Sequence, residues 1–281
     1  MQIKALTGAF GAEVFDIDLK GGIEPEQAGL IEEALAENVV LVFRNQDLDI
    51  DDFERFATAL GEFGDTPFIT PIDGHPNVLR LLREAEEQGP LFGSGWHSDW
   101  SFQLQPPSAT LLYALEVPEV GGDTAFTNQY LAFESLSSSM QSILRDLKGL
   151  HSAERSYGPR GTFGQPDPAS SMHIQGDETA VVLQVHPLVR SHPLTGRQSL
   201  FVNEVYTVGI EGMTKTESGA LLDFLFEHSR QIAFTCRVRW MPGTLTMWDN
   251  RATQHFAIND YAGSKREMYR ITLAGEQPVL H

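Results

Sequence analysis

His97 and Asp99 are the residues whose types and spacing point most directly to chemistry. They lie two positions apart, and in an extended strand residues i and i+2 point to one face, roughly 6 to 7 Å from each other. An imidazole and a carboxylate on one face are two of the three ligands of a 2-His-1-carboxylate iron(II) site, which leaves the other coordination positions open. Such a site needs a second histidine from elsewhere in the chain.

His255 is the best candidate for that second histidine, because an apolar, strand-like run over 244–248 and a polar turn lead into it. Arg266 and Arg270 follow in the run 266–273, which has the composition of a strand. Period-2 counting places both guanidinium groups on the same face of that strand. The sequence therefore offers two imidazoles, one carboxylate and two cations that point the same way.

Composition limits the classes of partner. The chain has 281 residues, of which 41% are hydrophobic, and this predicts one domain spanning 1–281. Its net charge of -18 opposes attraction to nucleic acid or to anionic membranes, so neither is expected as a partner. Cys236 is the only cysteine, which excludes an internal disulfide and favours a cytoplasmic location. No apolar run approaches the roughly 18 residues of a membrane span.

Many short strand-like runs and a few helical ones predict a mainly β fold with flanking helices. No βαβ series is evident, so the pattern fits a double-stranded β-helix, the jelly-roll or cupin-like core. One helix is expected over 130–147 and one strand over 198–206. Residues 155–180 are rich in Gly, Ser, Pro and Asp without periodicity, and we expect them to form a lid loop.

Several segments, in this order along nearly the whole chain, resemble the taurine dioxygenase (TauD/TfdA) family of iron(II)- and 2-oxoglutarate-dependent oxygenases. They are Trp96-His97-Ser98-Asp99, Gly121-Gly122-Asp123-Thr124, His186-Pro187-Leu188-Val189-Arg190 with His192-Pro193, Leu200-Phe201-Val202-Asn203-Glu204, Trp248-Asp249-Asn250-Arg251 and the arginine-bearing end strand. Within the family, the segments 202–206 and 210–214 look nearest to enzymes that oxidise aryloxyalkanoates of the dichlorprop type.

The resemblance implies a cofactor and a set of site residues. By it, His97, Asp99 and His255 ligate Fe(II), and 2-oxoglutarate chelates the metal through its C1 carboxylate and keto oxygen. Thr124 and Arg266 bind the distal carboxylate of 2-oxoglutarate, and O2 is the second co-substrate. The implied reaction is hydroxylation of a C–H bond, with release of succinate and CO2.

The resemblance also implies a small anionic organic substrate whose charged end Arg270 holds. Trp100, Tyr206 and Thr66 are further candidates for the substrate pocket. Thr66 stands where the taurine enzyme itself carries a sulfonate-binding histidine. We therefore expect a less polar anion than taurine, such as an aryloxy or alkyl carboxylate, with sulfonates and sulfate esters in the same class. A homo-oligomer, dimer or tetramer, is expected.

Other functions use similar residues. Two histidines, one carboxylate and a water also make a catalytic zinc site, as in a hydrolase. The arginine pair favours iron, because a bidentate 2-oxoacid needs a cation for its far carboxylate and a guanidinium supplies two hydrogen bonds. A tailoring hydroxylase or desaturase of a biosynthetic intermediate would use the same cofactor chemistry. A noncatalytic jelly-roll binding protein is disfavoured because all three ligands are present.

Overall fold

Short β-branched and aromatic runs form most of the regular structure, in a computed structural model that describes residues 1–281. The strands are β1 (Gln2–Ala5), β2 (Ala12–Phe15), β3 (Val40–Phe43), β4 (Leu79–Arg83), β5 (Ala109–Glu116), β6 (Thr124–Asn128), β7 (Lys148–His151), β8 (Gln184–Pro187), β9 (Val189–Ser191), β10 (Gln198–Leu200), β11 (Thr207–Ile210), β12 (Thr235–Val238), β13 (Leu245–Asp249), β14 (Thr253–Ala257) and β15 (Arg266–Leu273). The helices are α1 (Pro25–Asn38), α2 (Ile50–Leu60), α3 (Gln129–Glu134), α4 (Ser138–Arg145), α5 (Glu154–Tyr157) and α6 (Lys215–Ser229).

Two sheets enclose the main interior. Seven strands form the larger sheet in the order β1-β2-β3-β13-β5-β15-β4, and the smaller sheet has the order β12-β6-β14. Pairing is antiparallel throughout both sheets except between β2 and β3. Phe126 of β6, Val238 of β12 and Trp248 of β13 belong to one buried cluster between the sheets. This jelly-roll arrangement with outer helices confirms the predicted fold class.

The outer face of the larger sheet is covered by α1 and α2. In β3, Leu41 and Phe43 pack in the cluster that these helices share, whereas Val40 and Val42 join the cluster between the sheets. The uninterrupted apolar run of β3 follows from this burial on both faces. None of the helices combines the length and the apolar character that crossing a lipid bilayer requires.

Two of the expected elements are wrong in their extent. The helix expected over 130–147 is interrupted, because the side chain of Ser137 caps a new helix, α4, after α3 has ended. The strand expected over 198–206 stops at Leu200, and the side chain of Asn203 then accepts a hydrogen bond from the backbone of Tyr206. Both breaks are made by short polar side chains that bond their own backbone, which hydrophobic periodicity does not report.

The segment 155–180 is irregular for most of its length, as the sequence indicates. Its backbone is bonded to a second loop: Gln175 N–H donates to Phe68 O at 2.8 Å, and Thr70 N–H donates to His173 O at 3.0 Å. Residues of this segment line two of the cavities described below, but not the cavity that contains the candidate metal ligands. Its movement as a lid stays a prediction.

Candidate active site

His97, Asp99 and His255 converge inside the barrel. Strand β14 carries His255, and the backbones of His97 and His255 bond each other reciprocally, with N–H to O distances of 3.1 and 2.8 Å. Asp99 Oδ1 lies 3.6 Å from His97 Nε2 and 3.8 Å from His255 Nε2. All three side chains are buried. Because first-row metal ions hold such ligands at about 2 Å, one ion fits among these three atoms, and the donor set suits iron(II).

A chain of hydrogen bonds fixes the Asp99 carboxylate. Its Oδ2 accepts a hydrogen bond from Thr110 Oγ1 at 2.6 Å, and that hydroxyl accepts one from Asn250 Nδ2 at 2.8 Å. Asn250 Oδ1 in turn accepts from Trp248 Nε1 at 3.1 Å. Partners of this kind orient the groups that bind a metal. Oδ1 remains directed toward the two imidazoles.

The protonation states of the three groups also suit metal binding. Burial raises the pKa of Asp99, but the positive charge of Arg270 and the two imidazoles outweigh burial and hold that pKa well below its usual range. Burial, helped by His97, lowers the pKa of His255 to about 3, although Asp99 opposes the shift. His97 Nδ1 lies 2.9 Å from the carbonyl of Gly95, which can only accept, so Nδ1 carries a proton and Nε2 is the ring nitrogen that faces Asp99. At neutral pH the site therefore presents one carboxylate and an uncharged His255 imidazole.

Arg266 is a buried cation without an anion. The residue is 8% exposed, its Nε has no hydrogen-bond partner, and no carboxylate forms a salt bridge with it. Its guanidinium lies 5.9 Å from the ring centroid of Trp240, whose Nε1 donates to Thr124 Oγ1 at 3.0 Å. Burial lowers the pKa of Arg266. Because an unpaired buried charge is costly, a group of this kind indicates a site prepared for an anion.

We call the space that joins these groups the metal cavity. Its volume is about 420 Å³, and its polar lining consists of the following side chains: His97, Asp99, Thr124, His255, Arg266 and Arg270. The three candidate metal ligands and the unpaired cation thus share one enclosure. Three candidate metal ligands and a nearby unpaired cation are the groups that a metal-chelating dicarboxylate requires.

Arg270 has a different environment from Arg266. Its Nη2 forms an ion pair with Asp99 Oδ1 at 2.9 Å, but neither Nη1 nor Nη2 has a partner in hydrogen-bond geometry. The guanidinium stacks over the ring of Trp100, 4.3 Å from the centroid. Trp100 is itself buried, with a left-handed φ of 42° that is rare for a bulky side chain. Trp100 and Asp99 thus hold Arg270 from two sides.

A second space, the aromatic cavity, meets the metal cavity at His97 and Asp99. Its volume is about 340 Å³, and its aromatic walls are Phe92, Trp100, Tyr157, Phe163 and Tyr206. The ring of Tyr206 packs against that of His97, with centroids 6.1 Å apart. Asp99 is the only carboxylate in the lining.

Thr66 is the one candidate that neither cavity includes. It is half-buried, two residues before Phe68, whose ring stacks on Tyr157 at a centroid distance of 4.8 Å. Phe68 therefore supports a wall of the aromatic cavity from behind. A direct role of Thr66 in substrate binding stays a prediction.

Several residues that support the site were not expected from the sequence. Thr110 is one, and its signal was available: a hydroxyl inside an otherwise apolar buried strand. Another group lies behind Trp100, where Ser101 Oγ is 3.0 Å from His151 Nδ1 and accepts from Asn203 Nδ2 at 2.8 Å. Burial lowers the pKa of His151 to about 3, so this imidazole is neutral. Nothing local in the sequence brings these residues together.

Comparison with known proteins agrees with this geometry. The family described as "Taurine catabolism dioxygenase TauD, TfdA family" matches residues 2–272. An alpha-ketoglutarate-dependent sulfate ester dioxygenase of Pseudomonas putida is 33% identical over 281 residues, covering 99% of this chain and 91% of the relative. An alpha-ketoglutarate-dependent 2,4-dichlorophenoxyacetate dioxygenase of Cupriavidus pinatubonensis is 32% identical over 287 residues, covering 96% of each chain.

The fold agrees as well. The crystal structure of a taurine dioxygenase from Burkholderia xenovorans superposes with a TM-score of 0.82 at 34% identity, covering 99% of this chain and 92% of that one. The predicted reaction class and its requirements, Fe(II), 2-oxoglutarate and O2, are confirmed. The chain therefore belongs to the TauD/TfdA family, and it is an Fe(II)- and 2-oxoglutarate-dependent dioxygenase.

Proposed function

We propose that this dioxygenase hydroxylates a C–H bond of a small organic anion with an apolar body: a sulfate ester, a sulfonate, or an aryloxy or alkyl carboxylate. The observation that carries the proposal is Arg270, a buried cation with a free Nη1 that lies between the metal triad and an aromatic wall. The similar enzymes of P. putida and C. pinatubonensis act on a sulfate ester and an aryloxyacetate, both anions of this kind.

Each residue has a proposed role. His97, Asp99 and His255 would hold Fe(II), while Thr124 and Arg266 would bind the distal carboxylate of 2-oxoglutarate. Bound iron, with 2-oxoglutarate and O2, supplies the oxidising power for C–H hydroxylation and releases succinate and CO2. The protein's own contribution is placement and exclusion of water.

Arg270 fixes the anionic end of the substrate, and the aromatic cavity receives the apolar body. Trp100 and Tyr206 line that cavity beside His97, so the carbon next to the anion is held toward the triad. When the hydroxylated carbon bears a sulfate ester oxygen, the product collapses to an aldehyde and free sulfate.

We expect the enzyme to be located in the cytoplasm. We also expect it to form a homo-oligomer, a dimer or a tetramer, with one domain in each chain.

A substrate panel tests the proposal. Taurine carries an ammonium group, and Asp99, already paired with Arg270, is the only carboxylate in the lining of the aromatic cavity. We therefore expect kcat/KM for hexyl sulfate, hexanesulfonate or 2,4-dichlorophenoxyacetate to exceed that for taurine by about 10-fold or more, since burying an unpaired charge costs at least about 1.4 kcal/mol. Substrate-dependent succinate formation and product mass spectra are the measurements. Faster turnover of taurine than of every apolar anion contradicts the proposal.

Replacement of Arg270 tests how the anion is held. We expect Arg270→Gln to raise KM for the preferred anion by about 10- to 100-fold, the size of one charged hydrogen bond of roughly 1.5 to 3 kcal/mol. The affinity for 2-oxoglutarate should change far less. Arg270→Lys keeps the charge but loses the planar fork, so its KM for the anion should lie between those of the unmodified enzyme and Arg270→Gln. A large loss of kcat with an unchanged KM for the anion would mean that Arg270 only holds Asp99 and does not bind the substrate.

A further inference from the structure

A third space, which we call the outer cavity, adjoins the metal cavity and shares Leu81, Phe92 and Arg266 with it. Its volume is about 420 Å³, and Arg83 and Tyr261 are also in its lining. Arg266 therefore separates two spaces, one that contains the metal triad and one on the side of the loop 84–95. Apart from the residues that it shares with the other two cavities, the outer cavity has no role assigned above.

Arg83 is the residue that makes this cavity unusual. In the pairing of β4 with β15, Arg83 lies directly opposite Arg266, so the two cationic side chains point to the same face. Like charges in this position destabilise a sheet by up to about 1 kcal/mol. No carboxylate forms a salt bridge with either arginine. An anion that passes between the two guanidinium groups would offset their repulsion.

The guanidinium of Arg83 is positioned but not neutralised. Its Nη2 donates to the carbonyls of Glu87 and Gly89, at 2.9 and 3.0 Å. The Glu87 carboxylate also lines the cavity, but its Oε2 accepts from the backbone N–H groups of Ser171 and Glu84, at 3.3 and 3.4 Å. Arg83 is half-buried, so its charge is available to a ligand that arrives from solvent.

The overall negative charge of the chain makes a local pair of cations useful for binding an anion. The chain has a net charge of -18, which repels a dianion such as 2-oxoglutarate at long range. Local cations at the mouth of a cleft restore the association rate by focusing the field there. We propose that Arg83 and Arg266 form an entry site, in which 2-oxoglutarate first meets Arg83 in the outer cavity and then moves past Arg266 to the metal. This proposal rests on the role proposed above for Arg266.

Association kinetics test the entry site. Arg83→Gln in the full-length, Mn(II)-loaded protein is expected to lower the rate of 2-oxoglutarate association about 3- to 10-fold at 20 mM salt, as the share of one cation in steering by a whole cleft, which reaches about 10-fold or more. At 300 mM salt the deficit should shrink to less than about 2-fold, because screening shortens the reach of charges. Stopped-flow tryptophan fluorescence reports binding without turnover, and calorimetry at both salt concentrations gives the equilibrium constant.

Arg80→Gln is the matched control. It removes the same charge from the same strand, but Arg80 is exposed and bonds Glu267 away from the cavity. Equal association rates for the two variants, or a deficit in Arg83→Gln that is independent of salt, overturn the proposal; the second result would mean that Arg83 only holds its loop. A change in hexyl sulfate binding alone would assign the cavity to the substrate and overturn it as well. The role of Arg266 is tested separately, by the equilibrium affinity of Arg266→Gln for 2-oxoglutarate.

Discussion

Replacement of His255 by alanine is expected to abolish 2-oxoglutarate turnover and to weaken Fe(II) binding more than about 100-fold. His255 provides one of only three ligand atoms in the buried site, and its imidazole is already neutral at physiological pH. Loss of partners that merely orient a ligand costs 10- to 100-fold in metal affinity, so loss of a ligand costs more. Metal titration of the metal-free protein and Fe(II)-dependent succinate formation measure the two effects.

His75→Ala provides the matched control. His75, Asp51 and Glu54 also bring three ligand atoms together, but at the surface, where Asp51 is exposed. The same substitution there should leave turnover and high-affinity Fe(II) binding unchanged. Turnover within 10-fold of the unmodified enzyme in His255→Ala, or an equal loss in His75→Ala, is incompatible with the proposed ligand set.

Arg266→Gln is expected to act in opposite directions on function and stability. Two charged hydrogen bonds to the distal carboxylate are replaced by at most one neutral bond, which should raise KM for 2-oxoglutarate by about 100-fold or more. In the ligand-free protein the same change removes a buried cation that no carboxylate pairs with, so the free energy of unfolding should stay equal or rise. Steady-state kinetics and chemical denaturation without ligand measure the two quantities.

This pair of readouts separates binding from structure. If the Arg266 guanidinium only supported the fold, Arg266→Gln would lower the free energy of unfolding of the protein. Activity would fall in parallel, and added 2-oxoglutarate would not restore it. Arg266→Lys keeps the charge without the planar fork, so its KM should lie between those of the two other forms. An unchanged affinity of Arg266→Gln for 2-oxoglutarate would refute the assignment.

Local patterns in the sequence predicted those parts of the site that lie on one strand. Arg266 and Arg270 share a face because side chains alternate in any strand, and β15 pairs with β4 in continuous register over that stretch. The fold class followed in the same way from the number and spacing of apolar runs. The apolar run over 244–248 indicated His255 as the second histidine, and the resemblance to a known family supplied the roles expected of His255 and Arg266.

Features that depend on pairing between distant segments were not predicted. The register that sets Arg83 against Arg266 joins β4 to β15, and neither strand alone reveals it. Thr110 reaches Asp99 only after β5 has been placed beside the turn that carries the carboxylate. Short polar side chains also end elements early, as Ser137 does, because their bonds to the backbone compete with periodicity.

The reciprocal main-chain bonds between His97 and His255 have a consequence for how iron is acquired. Two of the three donors are joined by polypeptide hydrogen bonds, so their spacing is a property of the folded chain and does not await the ion. Proteins whose folding depends on a metal collapse when a chelator removes it. Here the backbone bonds between the two histidine segments do not involve the metal, so we expect the chain to stay folded when a chelator removes iron and to bind it again.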